Sequence, residues 1–189
     1  MKILIIEGPD NTGKTTLINR LMEQYNDVYY IHCSKPKETD PILCAIAQKN
    51  SFQKITDKIN DLWECNICPE LVILNRAWYG EYVYGCLYRG NGEEYVEQMI
   101  KELEEYLPHN MPVRIVLMTA ENPEFLVKNE DGQSLSEGKK ESIQIEINRF
   151  NYIINKSELP HKTICIHDKK GEFKSKDEIY NTVIKFLNN

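Results

Sequence analysis

The chain has 189 residues, 41% of them hydrophobic, and a formal net charge of −6. That apolar content suits one compact domain, and the acidic balance argues against a nucleic-acid backbone as main partner, since a basic face is the usual footprint of such binding. No run approaches the roughly 20 apolar residues that cross a bilayer, and Ile3–Ile6 is too short for a signal-peptide core, so a cytoplasmic protein is expected.

Ile3–Ile6 reads as a buried strand and runs directly into Gly8-Pro9-Asp10-Asn11-Thr12-Gly13-Lys14-Thr15. This stretch fills every fixed position of G-x-x-x-x-G-K-[ST], the phosphate-binding P-loop. Context strengthens the match, because an amphipathic helix with Leu17, Ile18, Leu21 and Met22 on one face follows immediately. The glycines let the backbone curl so that successive N–H groups point inward at phosphate oxygens. The helix start adds its positive dipole. Gly8, Asn11, Thr12, Gly13, Lys14, Thr15 and Thr16 are therefore the expected triphosphate cradle. Lys14 would reach the β and γ phosphates, and the Thr15 hydroxyl would bind Mg²⁺.

Further apolar runs follow at Val28–Ile31, Leu71–Leu74, Val113–Met118 and Thr163–Ile166. Most are continuous rather than alternating, as in strands buried on both faces of a parallel sheet. Helical spacing fills the gaps: Phe52, Ile55, Ile59 and Leu62; then Met99, Leu103, Tyr106 and Leu107; then Ile143, Ile147, Phe150 and Ile154; and last Ile179, Val183 and Phe186. Strand and helix alternate throughout, which predicts a single α/β domain over residues 1–189 with helices on both faces of the sheet. Lys128–Glu141, charged and nearly devoid of apolar residues, is either a solvated loop or a mobile lid over the phosphates.

Six cysteines are dispersed along the chain, which fits reduced thiols better than a disulfide framework. Cys65-x-x-Cys68 lacks the second pair that a zinc ribbon needs. It also ends a predicted helix, where a redox pair would open one. Ordinary thiols are expected.

From Ile6-Glu7-Gly8 through Thr16 the chain resembles the thymidylate kinase family of nucleoside monophosphate kinases. Leu74-Asn75-Arg76 stands where that family has Asp-Arg at the end of its third strand. Tyr84 and Arg89 fall at the spacing of its Ala-Tyr-Gln segment and the following arginine, and Pro123-Glu124 resembles its Asp-Pro-Glu. The matched stretches cover about a third of the chain. The resemblance implies a P-loop three-layer sandwich with a five-stranded parallel sheet in order 2-3-1-4-5 and a short lid. It implies ATP with Mg²⁺ as the donor, a deoxynucleoside monophosphate such as dTMP as the acceptor, and it admits a homodimer.

Roles carry over by position. Arg76 looks like the arginine that grips the acceptor phosphate, a task suited to a permanently charged fork; its alternative is a structural ion pair. Arg89 is a second contact for that phosphate or a surface arginine. Tyr84 lies near the acceptor base or sugar, or in the core. Lys35 touches the acceptor phosphate or is solvated. Phe52 and Trp63 are core residues by spacing that could also wall the pocket. Asn75 replaces the family's Asp, so the acidic role passes to Asp10, with Glu7 second. Lys14, Asp10, Arg76 and Arg89 are thus the candidate catalytic set. The lid segment has no arginine, only Lys128, Lys139 and Lys140, with Arg149 as a substitute from the next helix. The donor base is expected near His167–Gly171.

Two rivals remain. A deoxynucleoside kinase, or a kinase of a modified-base hydroxyl, usually has a carboxylate after the second strand; Ser34-Lys35-Pro36 offers none before Glu38. A P-loop ATPase switch would want an acidic residue where Asn75 stands.

Overall fold

The computed structural model describes every residue except Lys35, Thr39, Asn66, Ile67 and Gln133. The expected contact from Lys35 therefore lies outside the described residues.

Five parallel strands carry the fold: β1 (Lys2–Glu7), β2 (Val28–His32), β3 (Leu71–Asn75), β4 (Val113–Thr119) and β5 (His161–Cys165). Their order is β2-β3-β1-β4-β5. Central β1 pairs with β3 on one side and β4 on the other, with Ile6 opposite both Asn75 and Val116. The strands thus end together on one side of the sheet, and the loops that leave those carboxyl ends share one rim. The outer strands β2 and β5 are only half-buried, as edge positions dictate. Continuous apolar runs belong to the three inner strands.

The helices are α1 (Lys14–Gln24), α2 (Pro41–Glu64), α3 (Cys86–Tyr88), α4 (Glu93–Glu105), α5 (Pro123–Lys128), α6 (Lys140–Lys156) and α7 (Lys176–Asn188). A π-helical turn, Glu81–Gly85, precedes α3. Side chains alternate along β1, so Ile3 and Ile5 join one apolar layer with Phe52, Met99, Leu103 and Phe150. Leu4 and Ile6 join the other with Leu17, Leu21, Val183 and Leu187. Each face of the sheet is therefore covered, giving the expected three-layer sandwich.

Two elements depart from the sequence spacing. α2 begins eleven residues before Phe52, at Pro41. Asp40 caps it by accepting from the Leu43 N–H at 3.0 Å, and proline suits the first helical position. Its early apolar residues Ile42, Leu43 and Ile46 are exposed, so no buried stripe announced the helix there. β5 starts two residues before the expected Thr163, because its pairing with β4 sets Ile115 opposite His161.

Candidate functional site

Local geometry makes the loop after β1 a cradle. Gly8 has φ 137°, and a Cβ there would stand 2.0 Å from the Met118 carbonyl oxygen on β4. No side chain fits. Asn11 (φ 62°) and Gly13 (φ 80°) turn through the left-handed region before α1 begins. Gly13 occupies the cap position and supplies no side-chain oxygen to the first-turn amides, which leaves them suited to an anion. The Lys14 ammonium bonds within the loop, to the Gly8 carbonyl at 2.9 Å, the Pro9 carbonyl at 2.5 Å and the Thr12 hydroxyl at 3.3 Å. Burial lowers its pKa to about 8, and the charge of Arg76 adds to that; Asp10, Glu7 and Glu146 oppose it.

A cavity of about 850 Å³ opens over this loop, lined by all residues from Asp10 to Leu17 and by His32, Asn75 and Arg76 at the ends of β2 and β3. It continues past Arg20, Asn129 and Asp131 to Phe173–Lys176. Its floor is electrostatically dense. The Arg76 guanidinium pairs with the Asp10 carboxylate. The Arg76 backbone sits at φ 60°, held there by its N–H bond to the Ile6 carbonyl at 3.1 Å. A non-glycine residue in that region is uncommon and carries strain of order 1 kcal/mol. Asn75 donates to the Tyr30 hydroxyl at 3.0 Å and to His32 Nδ1 at 3.1 Å, while its Oδ1 is buried with no hydrogen-bond partner among the described residues. Burial, and then the charge of Arg76, lowers the His32 pKa.

Two buried carboxylates act on the Lys14 charge. Glu7 is fully buried, and neither oxygen makes a hydrogen bond of normal geometry among the described residues. Burial raises its pKa to about 8, against the pull of Lys14, Arg76 and the Gly80 and Ala77 amides. Glu146 on α6 accepts from the Tyr88 hydroxyl at 2.6 Å, and burial raises its pKa to about 7. It faces Asp10, Lys14 and Glu130. Sequence reasoning missed Glu146, although a signal existed: it falls between Ile143, Ile147 and Phe150, on the face that should be apolar.

The candidate residues divide into two groups. Asp10 through Thr16 and Arg76 line the cavity together, and Gly8 shapes it from behind. Tyr84 and Arg89 are not among the described lining residues. Tyr84 backs the site: its ring stacks on Tyr88 (centroids 6.3 Å) and meets Phe150 edge-on at 5.7 Å. Its buried hydroxyl has no hydrogen-bond partner among the described residues, and its pKa is driven up by burial and then by the charges of Asp10 and Glu146. Arg89 pairs with Glu81 at 2.6 Å, and Asn91 and Gln48 complete a buried network around that carboxylate. Phe52 meets Trp78 edge-on in the core, and Trp63 packs against the same layer. Arg149 bonds Glu93 and the Tyr82 carbonyl and stacks on the Tyr82 ring.

The segment after α5 is tied to the cradle. Glu130 accepts from Gly132 N–H, Ser134 N–H and the Ser134 hydroxyl, and the Asn11 amide reaches it at 3.4 Å. Lys139 and Lys140 are engaged in exposed pairs with Glu137 and Glu124. All six cysteines are free thiols.

A nucleotide-borne Mg²⁺ fits the cavity lining, where the Thr15 hydroxyl would be its protein ligand. Among the described residues no group of three or more acidic, histidine or cysteine side chains forms a metal cage. A hard cation would take its remaining ligands from phosphate and water. No helix among these residues is long and apolar enough to cross a membrane.

No family model matches the sequence, and no curated protein matches it. Solved structures do. YorR from Bacillus subtilis, in complex with phosphorylated GDP, superposes with a TM-score of 0.67 at 18% identity, over 99% of this chain and 96% of that one. Thymidylate kinase from Ehrlichia chaffeensis gives 0.62 at 15% identity, over 98% of each. Thymidylate kinase from Candida albicans gives 0.69 at 15%, over 99% of this chain and 91% of that one. The fold is that of thymidylate kinases, along almost the whole chain.

Proposed function

We propose that this chain transfers the terminal phosphoryl group of MgATP to a deoxynucleoside monophosphate, with dTMP as the leading acceptor, in the cytoplasm. The observation that carries the reading is the meeting of Lys14, Thr15, Asp10 and Arg76 in one cavity, contributed by the loops after β1 and β3. Donor and acceptor phosphates can thus be held side by side, and positioning with charge neutralisation supplies most of catalysis in phosphoryl transfer.

In this scheme the amides from Gly8 to Thr16 hold the triphosphate, and Lys14 leaves its loop carbonyls to reach the β and γ phosphates. Mg²⁺ on Thr15 would neutralise charge on the transferring group. Arg76 grips the acceptor phosphate, and Asp10 orients that guanidinium through their ion pair. Tyr84 supports the acceptor side from behind. Arg89, paired with Glu81 in this structure, is the second cation offered to the acceptor phosphate. Residues 128–141 act as a lid, tethered to the cradle by Asn11 and Glu130. The likeness to a nucleotide-bound YorR and to two thymidylate kinases supports a nucleotide substrate.

A coupled assay of ADP release tests the proposal, with MgATP offered against each nucleoside and each monophosphate. Turnover with one or more deoxynucleoside monophosphates, and little without acceptor, is expected. Turnover with free nucleosides alone would favour the nucleoside-kinase rival, and acceptor-independent hydrolysis would favour the ATPase switch.

A further inference from the structure

No motif singles out His32 in the sequence, yet it stands in the same cavity wall as Arg76. It is the last residue of β2 and lies opposite Asn75 in the parallel register. The ladder runs on past it, because the Cys33 N–H bonds the Asn75 carbonyl at 3.0 Å. Tyr30 and His32, two residues apart on β2, share one face of the strand. Asn75 ties the two together, donating to the Tyr30 hydroxyl at 3.0 Å and to His32 Nδ1 at 3.1 Å. An amide nitrogen only donates, so Nδ1 accepts and the ring proton sits on Nε2. No hydrogen bond among the described residues engages that Nε2. The imidazole is thus anchored through its backbone, oriented by Asn75, and exposed to the cavity with one N–H to offer.

We propose that His32 donates this Nε2–H to the phosphate of the monophosphate acceptor, beside Arg76. The proposal rests on the phosphoryl-transfer reading above, in which Arg76 grips that phosphate. Sheet order supports the placement. β3 and β2 lie to one side of β1, with neighbouring strands about 4.8 Å apart, and β4 and β5 lie to the other. The remaining cavity wall, Phe173–Lys176, is tied to the β5 side by the Lys174 N–H bond to the Ile166 carbonyl. A triphosphate over the turn after β1 therefore leaves the wall of Asn75, Arg76 and His32 to the acceptor. The His32 pKa is lowered by burial and then by the Arg76 charge, which puts the two side chains within electrostatic reach. An unengaged donor matters here, since the neighbouring cations are shared. Arg76 pairs with Asp10, Arg89 with Glu81, and Lys139 and Lys140 with Glu137 and Glu124. A hydrogen bond to a charged oxygen is worth roughly 10- to 150-fold in affinity. A free nucleoside has no phosphate to receive it, so His32 favours monophosphates over nucleosides.

Steady-state kinetics with MgATP and each of dAMP, dCMP, dGMP and dTMP test the contact. Calorimetry then compares the best of these acceptors with its parent nucleoside. His32→Ala is expected to raise the KM for the acceptor roughly 10- to 150-fold. The KM for ATP and the binding of the parent nucleoside should stay unchanged. His32→Gln, whose amide nitrogen reaches about as far as Nε2, should recover most of the loss. His32→Asn, whose amide ends near the position of Nδ1, should not. A purely structural role would weaken monophosphate and nucleoside alike and would not separate Gln from Asn. Unchanged acceptor KM in His32→Ala, a rise confined to ATP, or equal loss of monophosphate and nucleoside overturns the contact and leaves the kinase reading standing. Failure of the wild-type chain to turn over any of the four monophosphates overturns both.

Discussion

Arg76 and Asp10 meet across the floor of the cavity, one from the end of β3 and the other from the loop after β1. To make that contact Arg76 adopts a left-handed backbone, which a glycine would occupy without strain. Arg76→Gly should therefore be more stable than Arg76→Ala by about 1 kcal/mol, or about 3 °C in melting temperature for a chain of this length. Both should raise the KM for the monophosphate acceptor far more than that for ATP. Thermal unfolding and steady-state kinetics check the two halves separately. Equal stability of the variants would mean that the backbone is not strained there.

The two loop glycines should fail differently. A methyl group at Gly8 collides with the Met118 carbonyl at 2.0 Å, whereas one at Gly13 meets only the Met118 methyl at 3.9 Å. Gly8→Ala is expected to cost about 3 kcal/mol or more, as the strand ends must separate. Gly13→Ala is expected to cost about 1 kcal/mol, from its φ of 80° alone. Denaturant titration of both variants ranks them.

How much of this was legible beforehand differs by element. The phosphate-loop motif and the inner strands were local signals, a fixed spacing and continuous apolar runs, whereas the sheet order came only from the resemblance to thymidylate kinases. The pairing of Arg89 with Glu81 was not legible, since a π-helical turn sets which side chains around Gly85 converge, and no simple residue period describes it. The exposed apolar residues in the first turns of α2 hid where that helix begins, though not the helix itself.

The Arg89–Glu81 pair is largely removed from water, with side chains 18% and 3% exposed. Removing one partner should be worse than removing both. Arg89→Met is expected to destabilise by about 3 kcal/mol, because Glu81 is left charged among Gln48 and Asn91. Adding Glu81→Gln should recover part of the loss. A double-mutant cycle in urea measures the coupling, and strict additivity would contradict it.

Glu146 predicts a pH dependence of stability. Its folded-state pKa is raised by burial to about 7 from an ordinary 4.5, so the folded chain binds the proton more tightly than the unfolded one. The contribution is full below about pH 4.5 and is lost as pH rises through 7. A shift of that size corresponds to on the order of 3 kcal/mol. Glu146→Gln should flatten the decline between pH 5 and 7.5, measured by chemical denaturation at each pH; an unaltered slope would show that Glu146 titrates normally.

The central claim is that the turn from Gly8 to Thr16 grips a triphosphate chain through its amides, Lys14 and a metal at Thr15. Calorimetric titration of MgATP into the wild-type chain and into Lys14→Ala tests it most directly. The account predicts one saturable site in the wild type and a loss of at least about a hundredfold in affinity on removing the ammonium. Equal binding by the two proteins, or no heat of association with the wild type, would contradict it.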